Sequence, residues 1–439
     1  MFNDTIVAQA TPQGLGGISI VRISGPKATD IGKRLAKTSR TPKAKTPTLY
    51  NVYSRQNKKI DQALITFFKA PFSYTGEDII EVACHGNPLI VQEIIKTACK
   101  NGARSPNPGE FTMRSFVNGK MDLIQAEAVA SLIGSKSLTA ANINNKVLSG
   151  NLSKTIKDIR KNLIHLVSNI EYEIDISEEN TTRKTTKLTY KLYKNSCLHC
   201  EKLLDNYYGD DLFLVPRIVI TGEPNVGKST ILNRLVGEDR VIVNSKKGTT
   251  RDSIDVHLYI NKTQAILVDT AGIRSSKDDI EAEGIRRAKR AAEKADILVY
   301  VVTKGSKIPK LNEDKDHLVV FNKTDLYRKP KDLSQAIGIS ATGNKNIHKL
   351  KRALSALLKS REKGHANVLI TTQRQFDCIQ RCLSFLKNIE RFILEDIIYE
   401  PEIVSLDVRE GIKELDLLLG KTTPDDILEN VFSKFCVGK

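Results

Sequence analysis

Apolar and polar positions alternate in three short runs near the start of the chain, Gly17–Ile23, Gln62–Phe68 and Ile79–Ala83, each closed by turn-forming residues. A period of two predicts half-buried strands. The run Leu89–Cys99 spaces its apolar residues three and four apart, which predicts a helix. Residues 1–118 therefore read as a small α+β domain. From Met121 to about Tyr208 the period turns helical, with Leu123, Ala126, Ala130, Leu132 and Ile133 expected on one face. Between about Leu214 and Leu358, runs of strand length alternate with helical stretches, as in an α/β domain with parallel pairing. Helical periodicity returns after Gly364 and lasts to Phe432. That last stretch is short for a core of its own. It is expected to pack on the first helical stretch, so that 119–212 and 363–439 form one helical domain with an α/β domain, 213–362, inserted between them.

The inserted stretch carries the clearest chemistry. The β-branched run Ile218-Val219-Ile220 leads into G-x-x-x-x-G-K-S at Gly222–Ser229, and the helical Ile231–Leu235 follows. That is the strand–loop–helix setting of a phosphate-cradling loop. Gly222 and Gly227 let the backbone turn, so that N–H groups of Asn225, Val226, Gly227, Lys228, Ser229 and Thr230 face an anion at a helix N-terminus. Lys228 suits the outer phosphates and the Ser229 hydroxyl suits Mg²⁺. Further on, the apolar run Leu318–Phe321 ends in Asn322-Lys323-Thr324-Asp325, the pattern N-K-x-D. A carboxylate at Asp325 accepts two N–H bonds from the guanine edge, a pair of donors that adenine lacks. The stem of Lys323 covers the ring face. The strand-like Ile337-Gly338-Ile339 runs into Ser340-Ala341-Thr342, where the Ala341 N–H is placed to reach the guanine carbonyl. The nucleotide is read as GTP.

Two elements lie between these ends. Gly248-Thr249-Thr250 supplies a threonine for Mg²⁺ and the γ-phosphate. The strand-like Ala265–Val268 ends in Asp269-Thr270-Ala271-Gly272, with Asp269 near the metal and the Gly272 N–H near the γ-phosphate. Four elements in this order are the layout of a Ras-like GTPase domain. Ile273, however, stands where Ras-type proteins place a water-orienting glutamine. Either hydrolysis is very slow or the catalytic group comes from elsewhere. Asn225 and the segment Asn244-Ser245-Lys246-Lys247 offer oxygens to a monovalent cation, which would take the part of an arginine finger.

Composition adds three bounds. At 439 residues the chain is too long for one core. Lys+Arg 68 against Asp+Glu 51 gives a net charge of +17. That suits an anionic partner such as RNA, and it equally suits the lysine-rich bias of an AT-rich genome. Seven scattered cysteines do not form an export-type disulfide framework. Cys197 and Cys200, like Cys378 and Cys382, are spaced for helical core positions. Cys436 differs, because a structural thiol so near the end has little to pack against. No apolar run is long enough to span a membrane, and Met1-Phe2-Asn3-Asp4 lacks a basic export start, so a cytoplasmic protein is expected.

Motifs outside the nucleotide site point to one family. They are Asp4–Pro12, Gly16-Gly17-Ile18, Arg22-Ile23-Ser24-Gly25, Tyr74-Thr75-Gly76-Glu77-Asp78, Cys84-His85-Gly86, Pro108–Thr112, Asn118–Leu123, Gln125–Ala128 and Phe435-Cys436-Val437-Gly438-Lys439. In this order, and over nearly the whole chain, they resemble the tRNA-modification GTPases of the MnmE (TrmE) family. The resemblance implies a homodimer whose N-terminal α+β domains pair and bind a 5-formyl- or methylene-tetrahydrofolate, with contacts falling on Arg22, Glu81, Lys120 and Lys439. It implies GTPase domains that dimerise around K⁺, held by Asn225, Asn244, Lys246 and Thr249, with Mg²⁺ on Ser229 and Thr250. Glu281 would orient the water, and Lys228 and Cys436 complete the implied catalytic set. The implied activity, shared with the FAD-dependent partner MnmG (GidA) in a heterotetramer, adds a carboxymethylaminomethyl-type group to the wobble uridine of certain tRNAs. Two positions depart from the family pattern: the Asn244–Lys247 segment is more basic, and Asn87 stands where a second glycine is usual. The rival classes are an rRNA-binding ribosome-assembly GTPase and a folate-dependent transferase with a decayed GTPase domain. No G-x-x-G in a KH setting supports the first, and intact Lys228, Ser229, Asp269 and Asp325 oppose the second.

Overall fold

The computed structural model describes residues 2–175, 182–207, 216–238, 255–260, 263–269, 295–306, 315–361, 370–394, 397–398, 401–433, 435 and 437–438. The chain forms two compact units, one of Met1–Ile133, Asn144–Tyr207 and Asn367–Lys439, the other of Gly134–Ile143 and Tyr208–Ala366.

The first unit begins with β1 (Thr5–Gln9), β2 (Gly16–Ser24), α1 (Ala28–Ala36), β3 (Thr48–Tyr53), β4 (Lys59–Phe68), β5 (Ile79–Gly86), α2 (Pro88–Lys100), β6 (Ala103–Arg104) and α3 (Glu110–Val117). The sheet order is β3-β4-β5-β2-β1-β6, antiparallel except for the β1–β6 pair. Val21, Ile23, Ile65, Phe67, Ile80 and Val82 alternate onto one face, where they bury beside Ile31 and Leu35 of α1 and Val91 and Ile94 of α2. The register carries a second apolar row onto the other face, Leu49 opposite Leu64, Leu64 opposite Ala83, and Ala83 opposite Ile20. Leu49 and Leu64 stay 57% and 44% exposed there. Asn87 has an extended backbone (φ −110°), a region open to any residue, and its side chain accepts from Leu89 N at 2.9 Å. The position is a helix N-cap, a role in which asparagine outperforms most residues.

Next come α4 (Leu123–Gly134), α5 (Leu138–Leu148), α6 (Asn151–Asp175) and α7 (Thr182–Asp205). The one-face expectation for α4 is corrected. Leu123, Ala126 and Val129 pack with Phe432 and Phe435, whereas Ile124 and Ala128 enter the main helical core on the opposite side. Ile133, expected inside, is 53% exposed. A helix buried on two sides has no single apolar stripe.

The second unit holds β7 (Arg217–Thr221), α8 (Lys228–Glu238), β8 (Asp255–Ile260), β9 (Thr263–Asp269), β10 (Ile297–Val302), β11 (Asp316–Phe321), β12 (Ile337–Gly338) and α9 (Ile347–Arg361). Its order is β12-β11-β10-β7-β9-β8. Pairing is parallel from β12 to β9, and β8 breaks the expected pattern by running antiparallel to β9. Only two residues separate those strands, too few for the crossover that a parallel pair needs. Ile218, Ile220, Val299 and Val301 bury against Leu235 of α8 and Leu350 and Leu354 of α9, while Val219, Val268 and Leu298 fill the opposite face. Of the apolar run Leu318–Phe321, which falls in β11, Val320 and Phe321 are buried and Leu318 and Val319 only half so. Gly134–Ile143 belongs to this unit, the Lys136 carbonyl accepting from Gln264 N.

The chain then returns to the first unit with α10 (Gln373–Asn388), the hairpin β13 (Ile393–Leu394) and β14 (Ile397–Ile398), α11 (Pro401–Leu419) and α12 (Asp425–Ser433). One core joins Ile156, Leu163 and Ile170 of α6 to Ile379 and Leu386 of α10 and Val408 and Leu415 of α11. Arg374 makes a two-bond fork to Glu127, at 2.5 and 3.0 Å, across 247 residues of chain. Cys200, Cys378 and Cys382 lie in that same core with Cys197 at its edge. Burial pushes the Cys378 thiol up to about 11 and the Cys197 thiol up to about 12. No helix among the described residues is long and apolar enough to cross a membrane.

Candidate functional site

The loop after β7 needs glycine at two points for different reasons. Gly222 (φ +148°) runs so close to β10 that a Cβ would collide with the Val301 carbonyl. Gly227 (φ +95°) touches the Asn322 side-chain amide, again leaving no room for a Cβ. Asn225 adopts left-handed φ 62°, which asparagine tolerates, and is exposed. Val226 is buried among the core residues of the unit and anchors the loop from inside. The Lys228 Nζ donates to the carbonyls of Gly222 at 2.9 Å and Glu223 at 2.8 Å, so the ammonium lies across the loop. Ser229 and Thr230 stand exposed in the first turn of α8. The positive end of the helix dipole and free-standing hydroxyls thus share one spot.

The end of β11 meets this loop through one side chain. Asn322, 2% exposed, donates from Nδ2 to the Val226 carbonyl at 2.8 Å, and its Oδ1 accepts from Ala341 N at 3.0 Å. The Ala341 N–H, expected to reach the guanine carbonyl, is engaged with Asn322 in this structure. Lys323 takes left-handed φ 63°, turning the chain so that Asp325 stands exposed beyond it. A hydrogen bond from the Ser340 hydroxyl holds the Asp325 carboxyl below the usual carboxylate range, with Lys323 adding attraction. The Ser340 Oγ also accepts from Gly343 N at 3.0 Å, which shapes the turn around Thr342.

Arg234 went unread in the sequence. From α8 it donates Nε to the Ala341 carbonyl and Nη2 to the Thr342 carbonyl, both at 3.0 Å. The helix that begins at Lys228 therefore grips the loop that begins at Ser340. An arginine in an amphipathic helix carries no local sign of such a task, since its partners lie more than a hundred residues away.

Asn244, Ser245, Lys246, Lys247, Gly248, Thr249, Thr250, Thr270, Ala271, Gly272 and Glu281 lie outside the described residues, as do Cys436 and Lys439. The backbone of Asp269 closes β9 and pairs in register with Ile220, just before the phosphate loop.

In the other unit, Arg22 and Glu81 face each other across β2 and β5 and form an ion pair at 2.8 Å. The Arg22 guanidinium lies over the Tyr74 and Phe111 rings, 5.4 and 5.8 Å from their centroids. Lys120 Nζ donates to the Pro71 carbonyl at 2.9 Å, on the same segment that carries Tyr74. That segment is held by a network centred on one buried arginine. Arg114, fully buried, pairs with Asp4 at 2.7 Å, Glu110 at 2.8 Å and Glu77 at 3.2 Å, and Arg104 pairs with Glu110 at 2.6 Å. The motifs around Asp4, Tyr74–Asp78 and Pro108–Thr112 thus converge on one arginine. The chain end also closes on this unit. Phe435 stacks on Phe432 at 5.7 Å, and a Cβ at Gly438 (φ +104°) would collide with the Gln9 carbonyl. On one side of the Cys436 position Phe435 is buried, and on the other Val437 is 56% exposed.

A phosphate loop and an N-K-x-D loop, bracketed at one end of a largely parallel sheet, define a P-loop protein of the GTP-binding class. Residues 5–120 match the family described as GTP-binding protein TrmE N-terminus, and residues 123–436 match the MnmE helical domain. The tRNA modification GTPase MnmE of Thermotoga maritima is 36% identical over 453 residues, 99% of this chain and 100% of that protein. The Aquifex aeolicus MnmE is 35% identical over 452 residues, and that of Christiangramia forsetii 34% over 476, each covering 100% of both chains. The chain belongs to the MnmE family of tRNA modification GTPases.

Proposed function

We propose that this chain hydrolyses GTP as a conformational switch in the modification of the wobble uridine of certain tRNAs. The observation that carries the reading is the Asn322 bracket, which joins the phosphate loop to the base-reading loop through one buried amide. Asp325, whose carboxylate accepts from the Ser340 hydroxyl, selects guanine. Lys228 and the loop N–H groups hold the phosphates. The exposed Ser229 hydroxyl fits Mg²⁺, which supplies charge neutralisation at the phosphates when bound; Thr250 and Asp269 are its other assigned contacts. Asn225, left-handed and exposed, fits a ligand for K⁺, with Asn244, Lys246 and Thr249 assigned beside it. Glu281 is assigned to orient water in place of the glutamine replaced by Ile273.

The Arg22–Glu81 pair, backed by the buried Phe111 ring and flanked by Tyr74 and Lys120, offers charged and polar groups on one side of the first sheet, which fits a tetrahydrofolate with Lys439 contributing. Bound folate supplies the one-carbon unit, and Cys436 is assigned nearby. The exposed row of Leu49 and Leu64 supports pairing of two N-terminal domains in a homodimer. The FAD-dependent partner MnmG, in a heterotetramer, and a cytoplasmic setting complete the reading.

GTP turnover by the full chain is expected to rise in KCl far more than in NaCl, with second-order dependence on protein at low concentration. Equal turnover in both salts removes the K⁺ assignment. Nucleosides of tRNA from a deletion strain are expected to lack the wobble modification, and an unchanged nucleoside profile by mass spectrometry overturns the function.

A further inference from the structure

Residues 31–60 contain nine lysines and arginines and no aspartate or glutamate, although acids make up 51 of the 439 residues. The fold gathers four of these cations, Lys33, Arg34, Lys37 and Arg55, around one cleft of about 520 Å³. The cleft lies between the C-terminal ends of α1 and α2 and the turn joining β3 to β4. The remaining wall is neutral and rich in hydrogen-bonding groups: Thr38, Ser39, Ser54, Asn57 and Asn101. Among the described residues no carboxylate lines it. Lys37 rests its ammonium 4.0 Å from the centroid of Tyr53, so an aromatic ring positions it.

A bland explanation covers part of this. Lys33 and Arg34 lie in the last turn of α1, where cations offset the helix dipole. It does not cover Lys37, which lies past that turn in left-handed backbone (φ 47°), or Arg55, which comes from a strand turn. Arg34, Lys37 and Arg55 are all exposed, and Arg40, Lys43, Lys45, Lys58 and Lys59 continue the same sign on the exposed surface of the segment. Gathering like charges costs free energy that an anionic partner offsets.

The lining chooses between anions. A membrane surface calls for apolar side chains beside the basic ones, and here Tyr53 is the sole aromatic or aliphatic lining group. Arginine and lysine mixed with serine, threonine and asparagine donors are the set that contacts phosphodiester oxygens. A basic groove with an aromatic ring also suits a nucleic-acid strand. We propose that this cleft docks the phosphate backbone of an RNA. Resting on the function proposed above, that RNA is the tRNA to be modified, which gives the substrate a foothold on the N-terminal domain, apart from the nucleotide and folate residues.

The test is fluorescence anisotropy of labelled tRNA with the full-length chain between 50 and 200 mM KCl. The triple variant Arg34→Gln, Lys37→Asn, Arg55→Gln removes three charges, and asparagine keeps position 37 compatible with left-handed backbone. Loss of three phosphate contacts should reduce the slope of log Kd against log salt by roughly two to three and weaken binding at 50 mM by on the order of tenfold or more. Arg55→Gln alone should reduce the slope by about one, which keeps the test alive if the triple variant folds poorly. GTP turnover and Tm should stay at the wild-type values. The proposal is overturned if these variants bind tRNA with the wild-type Kd and slope, or if the wild-type chain does not bind tRNA even at 50 mM. It is equally overturned if their loss appears only with phosphatidylglycerol vesicles or polyglutamate. An unchanged nucleoside profile in the deletion strain would defeat the tRNA-modification reading separately, because the anisotropy result stands without it.

Discussion

Asn322 donates to the Val226 carbonyl at 2.8 Å and accepts from Ala341 N at 3.0 Å, so that one buried amide spans the phosphate loop and the base loop. Gly227 leaves the space that this amide occupies. Asn322→Ala strands a buried carbonyl and a buried N–H at once, at a cost of about 2–4 kcal/mol. Calorimetry of the full chain should show an earlier transition for the GTPase domain, and GTP affinity should fall with it. Wild-type affinity in this variant would mean that the two loops are held by other contacts.

Arg234 holds the Ala341 and Thr342 carbonyls, and with these residues beside the base as proposed it is a positioning residue. Arg234→Lys cannot reproduce a fork on two acceptors. The expected outcome is a narrower preference for GTP over ATP, because the loop beside the base is loosened, with Tm nearly unchanged. Competition binding of the two nucleotides checks this. A drop in Tm with an unaltered GTP-to-ATP ratio would make Arg234 merely structural.

Asp325 owes its depressed carboxyl first to the Ser340 hydroxyl. A depressed value means that the charge persists as pH falls, so guanine nucleotide affinity should be level from pH 7 down to about pH 5. Asp325→Asn exchanges an acceptor for a donor, and xanthine, which carries a carbonyl where guanine has its amino group, should replace guanine as the preferred base. The expected change in the GTP-to-XTP affinity ratio is about a hundredfold or more, read by nucleotide competition.

Glu110 shows the opposite use of charge, inside the first unit. Burial alone would raise its carboxyl, yet hydrogen bonds from Arg104 and Arg114 hold it below the ordinary 4.5. Its stabilising contribution is therefore complete above pH 4.5 and is lost as pH falls through the depressed folded value. Glu110→Gln leaves Arg114 buried with one partner fewer and should cost about 3 kcal/mol at pH 7. Urea unfolding at a series of pH values should show the gap between wild type and variant closing below pH 4.5. A gap that is constant with pH would assign the loss to shape and not to charge.

The nucleotide loop was legible because its parts are consecutive. A strand, two glycines, a lysine and a serine within a dozen residues dictate their own geometry, and Gly222 and Gly227 took the positive φ angles that the motif requires. The early strands were legible for the same reason, since alternation follows from the pleat. Ile133 was misread because periodicity finds one apolar face and α4 buries two. The antiparallel edge of β8 was passed over because the alternation of strands and helices says nothing of a hairpin inside it.

Residue order along short stretches was enough to announce a guanine-nucleotide domain set within a helical one behind a small sheet domain, because helix and strand periods and loop chemistry are properties of neighbours. It could not announce that Asn322 closes onto Val226, that Arg234 grips Ala341, that Glu127 meets Arg374 across 247 residues, or that Arg34 and Arg55 line one basic cleft. Those pairs exist because packed cores and strand register bring distant elements together, and register and packing are set by the whole chain at once.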